Sequence, residues 1–180
     1  MFSKLTLFIF LGLFTQFWTY EITPIITEGA PDFFDISTEP FVKIGEGYYY
    51  FETNLTKNWF DAFESCRRMD AQLIAFETMK EWDLLNIYLR TAKIEDIYWT
   101  SGTDLAHHGI HDWFPTGQRL TLDIWMKGEP NNSGGNEHCD ILGYRRTETN
   151  YNDLNDLECE LERLYICEAP LPRTASFVIW

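Results

Sequence analysis

Between Gly128 and Cys159 the chain reads Gly128-Glu129-Pro130-Asn131-Asn132, then Asn136-Glu137-His138-Cys139, then Leu154-Asn155-Asp156-Leu157-Glu158-Cys159. Two carboxylate and amide pairs and a further carboxylate are thereby interleaved with two cysteines. Calcium is a hard cation that takes about 6 to 8 oxygen ligands, whereas zinc and copper favour imidazole and thiolate. Glu129, Asn131, Glu137, Asn155 and Asp156 suit calcium. Three carboxylates against one divalent ion leave coordination to spare, so such a site is built to hold something else as well.

This spacing resembles the carbohydrate-recognition domain of C-type lectins. In that family a Glu-Pro-Asn tripeptide, a Glu two residues before a cysteine, and an Asn-Asp pair three residues before the next cysteine share one calcium. The resemblance implies that Glu129, Asn131, Glu137, Asn155 and Asp156 hold calcium. It also implies that Glu129, Asn131, Glu137 and Asn155 bind the vicinal hydroxyls of a sugar. The family usually carries Trp before Asn-Asp, where this chain has Leu154; the expected result is a modest change of packing with the ligand set intact. Pro130 is expected to follow a cis peptide bond. The order Glu then Asn around the proline implies mannose-type selectivity, and the segment Trp99-Thr100-Ser101-Gly102 looks most like the small secreted lectins of arthropods.

The four cysteines, Cys66, Cys139, Cys159 and Cys167, are an even set that fits an oxidising compartment, and by themselves they leave three pairings open. The resemblance implies Cys66 with Cys167 and Cys139 with Cys159. The second bridge would clamp the segment bearing Glu137 to that bearing Asn155 and Asp156. Residues Met1 to Tyr20 carry one base, Lys4, followed by an apolar run from Leu5 to Phe14 that is interrupted at Thr15 and Gln16. This reads as a secretory signal, because a membrane span needs about 20 apolar residues. A secreted, extracellular protein without membrane insertion is the expectation.

The net charge is −14, which argues against nucleic acid or an anionic membrane surface as a partner. Residues 21–40 hold Glu21, Glu28, Asp32, Asp35 and Glu39 with Pro24, Pro31 and Pro40, and read as an acidic linker. Residues 41–168 read as one lectin domain and residues 169–180 as a short tail. Within the domain, Phe41 to Phe51 is expected to open with a strand. Thr56 is expected to cap a helix whose Trp59, Phe63 and Cys66 share a face, and Thr78-Met79-Lys80-Glu81 reads as the capping box of a second helix with Trp82, Leu85 and Leu89 as its buried stripe. Further strands are expected at Ile97 to Ser101, Glu137 to Gly143 and Leu164 to Glu168. Between them, the turn-rich stretch from Thr103 to Gly135 reads as a binding loop. The fold class is therefore α+β: two helices, short antiparallel sheets and a long calcium-binding loop region.

His107, His108, His111 and His138 raise the question of zinc, but Gly109 and its turn-rich surroundings argue against a helix that would align them, so they read as loop histidines. His138 also stands where the family commonly has an acid that helps to hold an auxiliary calcium, and Asn132 where it has a further Asp. No auxiliary calcium of that kind is expected. Asn54-Leu55-Thr56 is a glycosylation sequon on Asn54; Asn131-Asn132-Ser133 is a second by pattern, expected to stay unmodified because a glycan there would destroy the calcium site. The functional expectation is a calcium-dependent lectin, and no enzyme, that recognises glycans on cells or microbes; avidity in such shallow sites comes from multivalency, and without coiled-coil heptads outside the domain any oligomer must use another surface. Two alternatives remain: a protein-recognition module in which calcium braces the loops, and a glycosidase using paired carboxylates.

Overall fold

The computed structural model of the protein describes residues 25–28, 37–143, 153–171 and 173–176. The candidate signal segment lies outside them. Among the described residues, eleven strands and two α-helices follow one another. Strand β1 is Ile25–Glu28, β2 is Val42–Ile44 and β3 is Gly47–Phe51, followed by helix α1 at Trp59–Arg68 and β4 at Gln72–Leu73. Helix α2 spans Met79–Thr91; β5 is Tyr98–Thr103, β6 Asp112–Trp113, β7 Gln118–Arg119, β8 Glu137–Leu142, β9 Asn155–Glu158, β10 Leu164–Ala169 and β11 Arg173–Ser176. Nine of the strands form one sheet, in which β10 joins β3 and β4 on one side to β5 on the other, while β8 pairs with both β5 and β9. The β10–β5 pair is parallel and the rest are antiparallel. Helices and a mixed sheet in a single α+β arrangement match the class read from the sequence.

Three local expectations are corrected. The stretch from Phe41 to Phe51 is a hairpin, because Gly45 takes φ +59° and lets Ile44 pair with Gly47 across a two-residue loop. Helix α1 is capped by Asn58, whose side-chain oxygen accepts from Asp61 N at 2.9 Å, and not by Thr56. The reason is long-range: Lys57 exchanges two backbone hydrogen bonds with Arg163, at 2.9 Å each, which keeps the chain extended until residue 58. Thr56 Oγ1 turns to Glu162 instead, at 3.2 Å. A third difference is that β1 pairs with β11 along its whole length, from Ile25 opposite Ser176 to Glu28 opposite Arg173. Parts of the presumed linker and tail thus meet as a two-stranded ribbon.

Helix α2 is as the pattern predicts. Thr78 accepts from Glu81 N at 3.2 Å, while the Glu81 carboxylate reaches back one residue further than in a standard capping box, to Glu77 N at 3.1 Å, and also accepts from Tyr49 Oη at 2.7 Å. Trp82, Leu85 and Leu89 are completely buried, each contributing roughly 1.5 to 3 kcal/mol of apolar stabilisation. They pack with Phe76, Tyr98, Trp113 and Leu142 into one core, and a second core gathers Trp59, Leu73, Trp99, Ile141 and the cysteines. The two cysteine bridges are Cys66–Cys167 and Cys139–Cys159, the pairing that the resemblance implies. Helix α1 is bound to the sheet by a reciprocal pair of indole bonds: Trp59 Nε1 donates to the Thr100 carbonyl and Trp99 Nε1 to the Lys57 carbonyl, both at 2.8 Å.

Candidate functional site

The five oxygen-bearing residues come together where the loop after β7 meets β8 and β9. Leu154, in the position of the family Trp, is fully buried. Its backbone accepts from Met126 N at 2.9 Å and donates to the Ile124 carbonyl at 3.2 Å, and Glu129 N then donates to the Met126 carbonyl at 2.9 Å. The loop segment is thereby laid beside Asn155 and Asp156 by main-chain bonds, which do not require an indole at position 154.

Asp156 is fully buried and acts as a hub. Its two carboxylate oxygens accept from Asn131 N at 3.1 Å and Asn132 N at 2.7 Å. Asn132 sits at φ 45°, a left-handed conformation that asparagine tolerates better than most residues, and its side-chain oxygen accepts from Glu137 N at 3.1 Å. The Glu137 carboxylate in turn accepts from Ser133 N at 2.8 Å, at the head of a 3₁₀ turn over Ser133–Gly135. Asn155 donates from its side-chain nitrogen to the Asp156 carbonyl, which leaves its side-chain oxygen for another partner. The Glu129–Pro130 peptide bond is cis.

Glu129 is the residue left in want. Its Oε2 is buried with no hydrogen-bond partner. Burial, followed by the charges of Asp156 and Glu137, raises its pKa above the ordinary carboxylate value. Glu137 is raised too, by burial first and by Asp156 and Glu158, against the opposing hydrogen bond from Ser133. Acids that repel one another around an orphaned oxygen form a site that a hard cation would relieve. The residues present fit calcium.

Beneath this site lies a layer that sequence reading missed. Asp140 is paired across the strands with Asp156, and its Oδ1 lies 2.8 Å from His111 Nδ1, both side chains being buried. Complete burial pushes Asp140 up to about 6, an effect that His111 partly offsets. Burial would lower His111, but the Asp140 carboxylate outweighs it and the net shift is upward. A β-carbon at position 102 would lie 2.1 Å from Asp140 Oδ2, so Gly102 makes room for this carboxylate. The available signal was an acid set in the apolar run Cys139-Asp140-Ile141-Leu142.

The histidines separate into distinct settings. His107 is exposed, His111 is the buried partner of Asp140, and His108 and His138 meet edge to face with ring centroids 4.6 Å apart. His138 Nδ1 also lies 2.8 Å from Asp104 Oδ1. Burial alone would raise Asp104, yet the Gly109 amide and the His138 imidazole overrule it and hold the carboxyl below its usual value. No helix aligns these residues, as expected. The fold instead joins His138 at the start of β8 to the loop after β5. Asn54, the sequon residue, is exposed.

A nine-strand mixed sheet flanked by two helices, with two buried disulfides and an acidic site on its loops, defines a disulfide-braced α+β domain. A family model described as the lectin C-type domain matches residues 55–169, and the chain belongs to that family. Its members are binding modules, not enzymes. C-type lectin 37Da of Drosophila melanogaster is 37% identical over 179 residues, covering 97% of this chain and 96% of the relative. Salivary C-type lectin 1 of Aedes albopictus is 31% identical over 121 residues, or 64% of this chain and 78% of the relative. Among solved structures, the carbohydrate-recognition domain of the mouse scavenger receptor C-type lectin superposes with a TM-score of 0.64 at 20% identity, over 76% of this chain and 98% of that one. The cow CD23 domain, determined in the presence of a GlcNAc2Man3 oligosaccharide, gives 0.62 at 24% identity over 76% and 97%. Among the described residues no helix is long and apolar enough to cross a membrane.

Proposed function

We propose that the protein is a secreted, calcium-dependent lectin that binds mannose-type sugars on cell or microbial glycans. The observation that carries this reading is the buried, unpartnered Glu129 Oε2 among like-charged neighbours. Glu129, Asn131, Glu137, Asn155 and Asp156 would hold the ion, and a bound calcium would offer open coordination to two adjacent sugar hydroxyls. Glu129 and Glu137 accept hydrogen bonds from those hydroxyls; the Asn131 and Asn155 amides donate to them. Each hydroxyl can then give one bond and receive another. Asp156, buried and spent on two backbone amides, serves the ion and the loop. Several copies on a surface would supply avidity that a shallow single-sugar site lacks. Glycosylation at exposed Asn54 is compatible with this role, because no ligand residue lies beside it in the chain.

The test is retention of the mature protein on a mannose matrix with calcium and its release by EDTA. Retention indifferent to chelator, or calcium binding without retention on any sugar, would overturn the lectin mechanism; the latter result would make the domain a protein-recognition module. The double change Glu129→Gln with Asn131→Asp keeps charge and ligand number but exchanges donor and acceptor. It is expected to preserve calcium affinity and shift the competition ratio from mannose toward galactose, and an unaltered ratio would remove the motif as the selector.

The acid response follows from the raised carboxyls. Glu129 and Glu137 must be ionised to hold a cation, and in the ion-free chain both take up protons at higher pH than an ordinary carboxylate. Affinity is therefore complete at neutral pH and lost on acidification, with onset above the ordinary carboxylate range and a fall of up to about tenfold per pH unit for each carboxylate that protonates. Calcium titrations at neutral and mildly acidic pH check this, and equal affinities would contradict it.

A further inference from the structure

We propose that Asp104, His108 and His138 form a second metal site, one that takes a zinc-class divalent ion and is separate from the five-oxygen site. One donor atom from each of the three residues lies within 4.8 Å of the other two, the sole such group of three among the described residues. The donor chemistry selects the ion. Two imidazoles and one carboxylate suit zinc and its neighbours, whereas a hard cation of calcium's size wants more oxygens than this cluster contains. In the C-type lectin resemblance an acid stands at position 138 to help hold an auxiliary calcium; His138 withdraws that oxygen and supplies nitrogen.

The site is built in graded fashion. Asp104 is 1% exposed, with one oxygen 2.8 Å from His138 Nδ1 and the other accepting from Gly109 N at 2.6 Å. That carboxylate oxygen and the imidazole nitrogen already stand close to the spacing of two donors on one ion, which would take the place of the hydrogen bond between them. The backbone on both sides is also tied, since Thr103 Oγ1 and Asp104 N both donate to the His138 carbonyl, at 2.7 and 3.2 Å. His108 completes the group from the exposed side, its ring edge-on to that of His138. Tetrahedral zinc with bonds of about 2.1 Å places its donors roughly 3.4 Å apart, so the Asp104 and His138 donors, now 2.8 Å apart, part slightly while the exposed His108 side chain swings inward. Three protein ligands leave a fourth position for water. An ion here would clamp the loop after β5 to the start of β8, the strand whose first residue is Glu137.

The experiment uses the full mature chain, stripped with chelator and then saturated with calcium, and titrated with zinc chloride by calorimetry. The expected result is one zinc per chain that excess calcium does not displace, with cobalt chloride giving the visible bands of a tetrahedral site. His108→Ala is expected to weaken zinc at least about tenfold while leaving calcium affinity unchanged, and His107→Ala, an exposed neighbour outside the group, to bind zinc as the parent does. His138→Ala provides the second ligand deletion and should weaken zinc likewise, with circular dichroism verifying that it folds. Absence of a stoichiometric zinc, displacement of zinc by calcium, or equal behaviour of the His107 and His108 variants would each overturn the proposal. None of these outcomes depends on sugar binding, so the site stands or falls apart from the lectin reading.

Discussion

Replacing Asp156 with alanine is expected to weaken calcium at least about a hundredfold and to abolish calcium-dependent sugar retention. The change removes a proposed ligand and, with it, the acceptor of both the Asn131 and Asn132 amides. The loop that presents Glu129 and Asn131 then loses its tether to β9, so the remaining oxygens no longer converge. Loss of a residue that merely positions a metal ligand costs about 10 to 100-fold, and Asp156 does both. Asp156→Asn separates the two contributions: it keeps an acceptor for one amide but removes the charge, and should fall between the parent and the alanine variant. Calorimetric titration measures both, and an alanine variant within threefold of the parent would dismiss Asp156 as the hub.

The second large effect concerns the disulfides. Cys66 and Cys167 are separated by 101 residues and Cys139 and Cys159 by 20. Chain-entropy arguments then assign about 4.7 kcal/mol to the first bridge and about 3.3 kcal/mol to the second. Against a total of about 5 to 15 kcal/mol for a typical domain, removing Cys66–Cys167 as a double alanine variant should bring the protein close to unfolding at ambient temperature. The shorter bridge is expected to show the opposite balance. It ties β8 to the segment just after β9, beside Glu137 and Asp156, so its removal should cost less in urea denaturation and more in calcium affinity. Similar losses in both measurements for both variants would refute this division.

How much of this was legible in the sequence depends on the range of the forces concerned. The stripe of α2 could be read because a 3.6-residue period is a local signal and the core merely agrees with it. The cap of α1 could not, since the backbone bonds that delay the helix come from Arg163, over a hundred residues away. Strand β9 was missed for a related reason: Asn155-Asp156-Leu157-Glu158 has little intrinsic strand preference and is held extended by pairing with β8. The ribbon of β1 and β11 likewise depends on a partner at the far end of the described chain. For the site, the five oxygen-bearing residues proposed to hold calcium could be singled out because their spacing is sequential. The Asp140–His111 layer and the Asp104, His108 and His138 group were not, because each brings residues about 30 positions apart into contact.

The reciprocal indole bonds between α1 and the sheet make the two elements hostages of one another. Trp59, on the helix, is bonded to the strand β5 backbone, while Trp99, on that strand, is bonded to the segment just ahead of the helix. Moving the helix away from the strand breaks both bonds, one from each side. Separation of helix and strand therefore exposes two indole donors and two carbonyls at once, which raises the cost of opening this side of the domain.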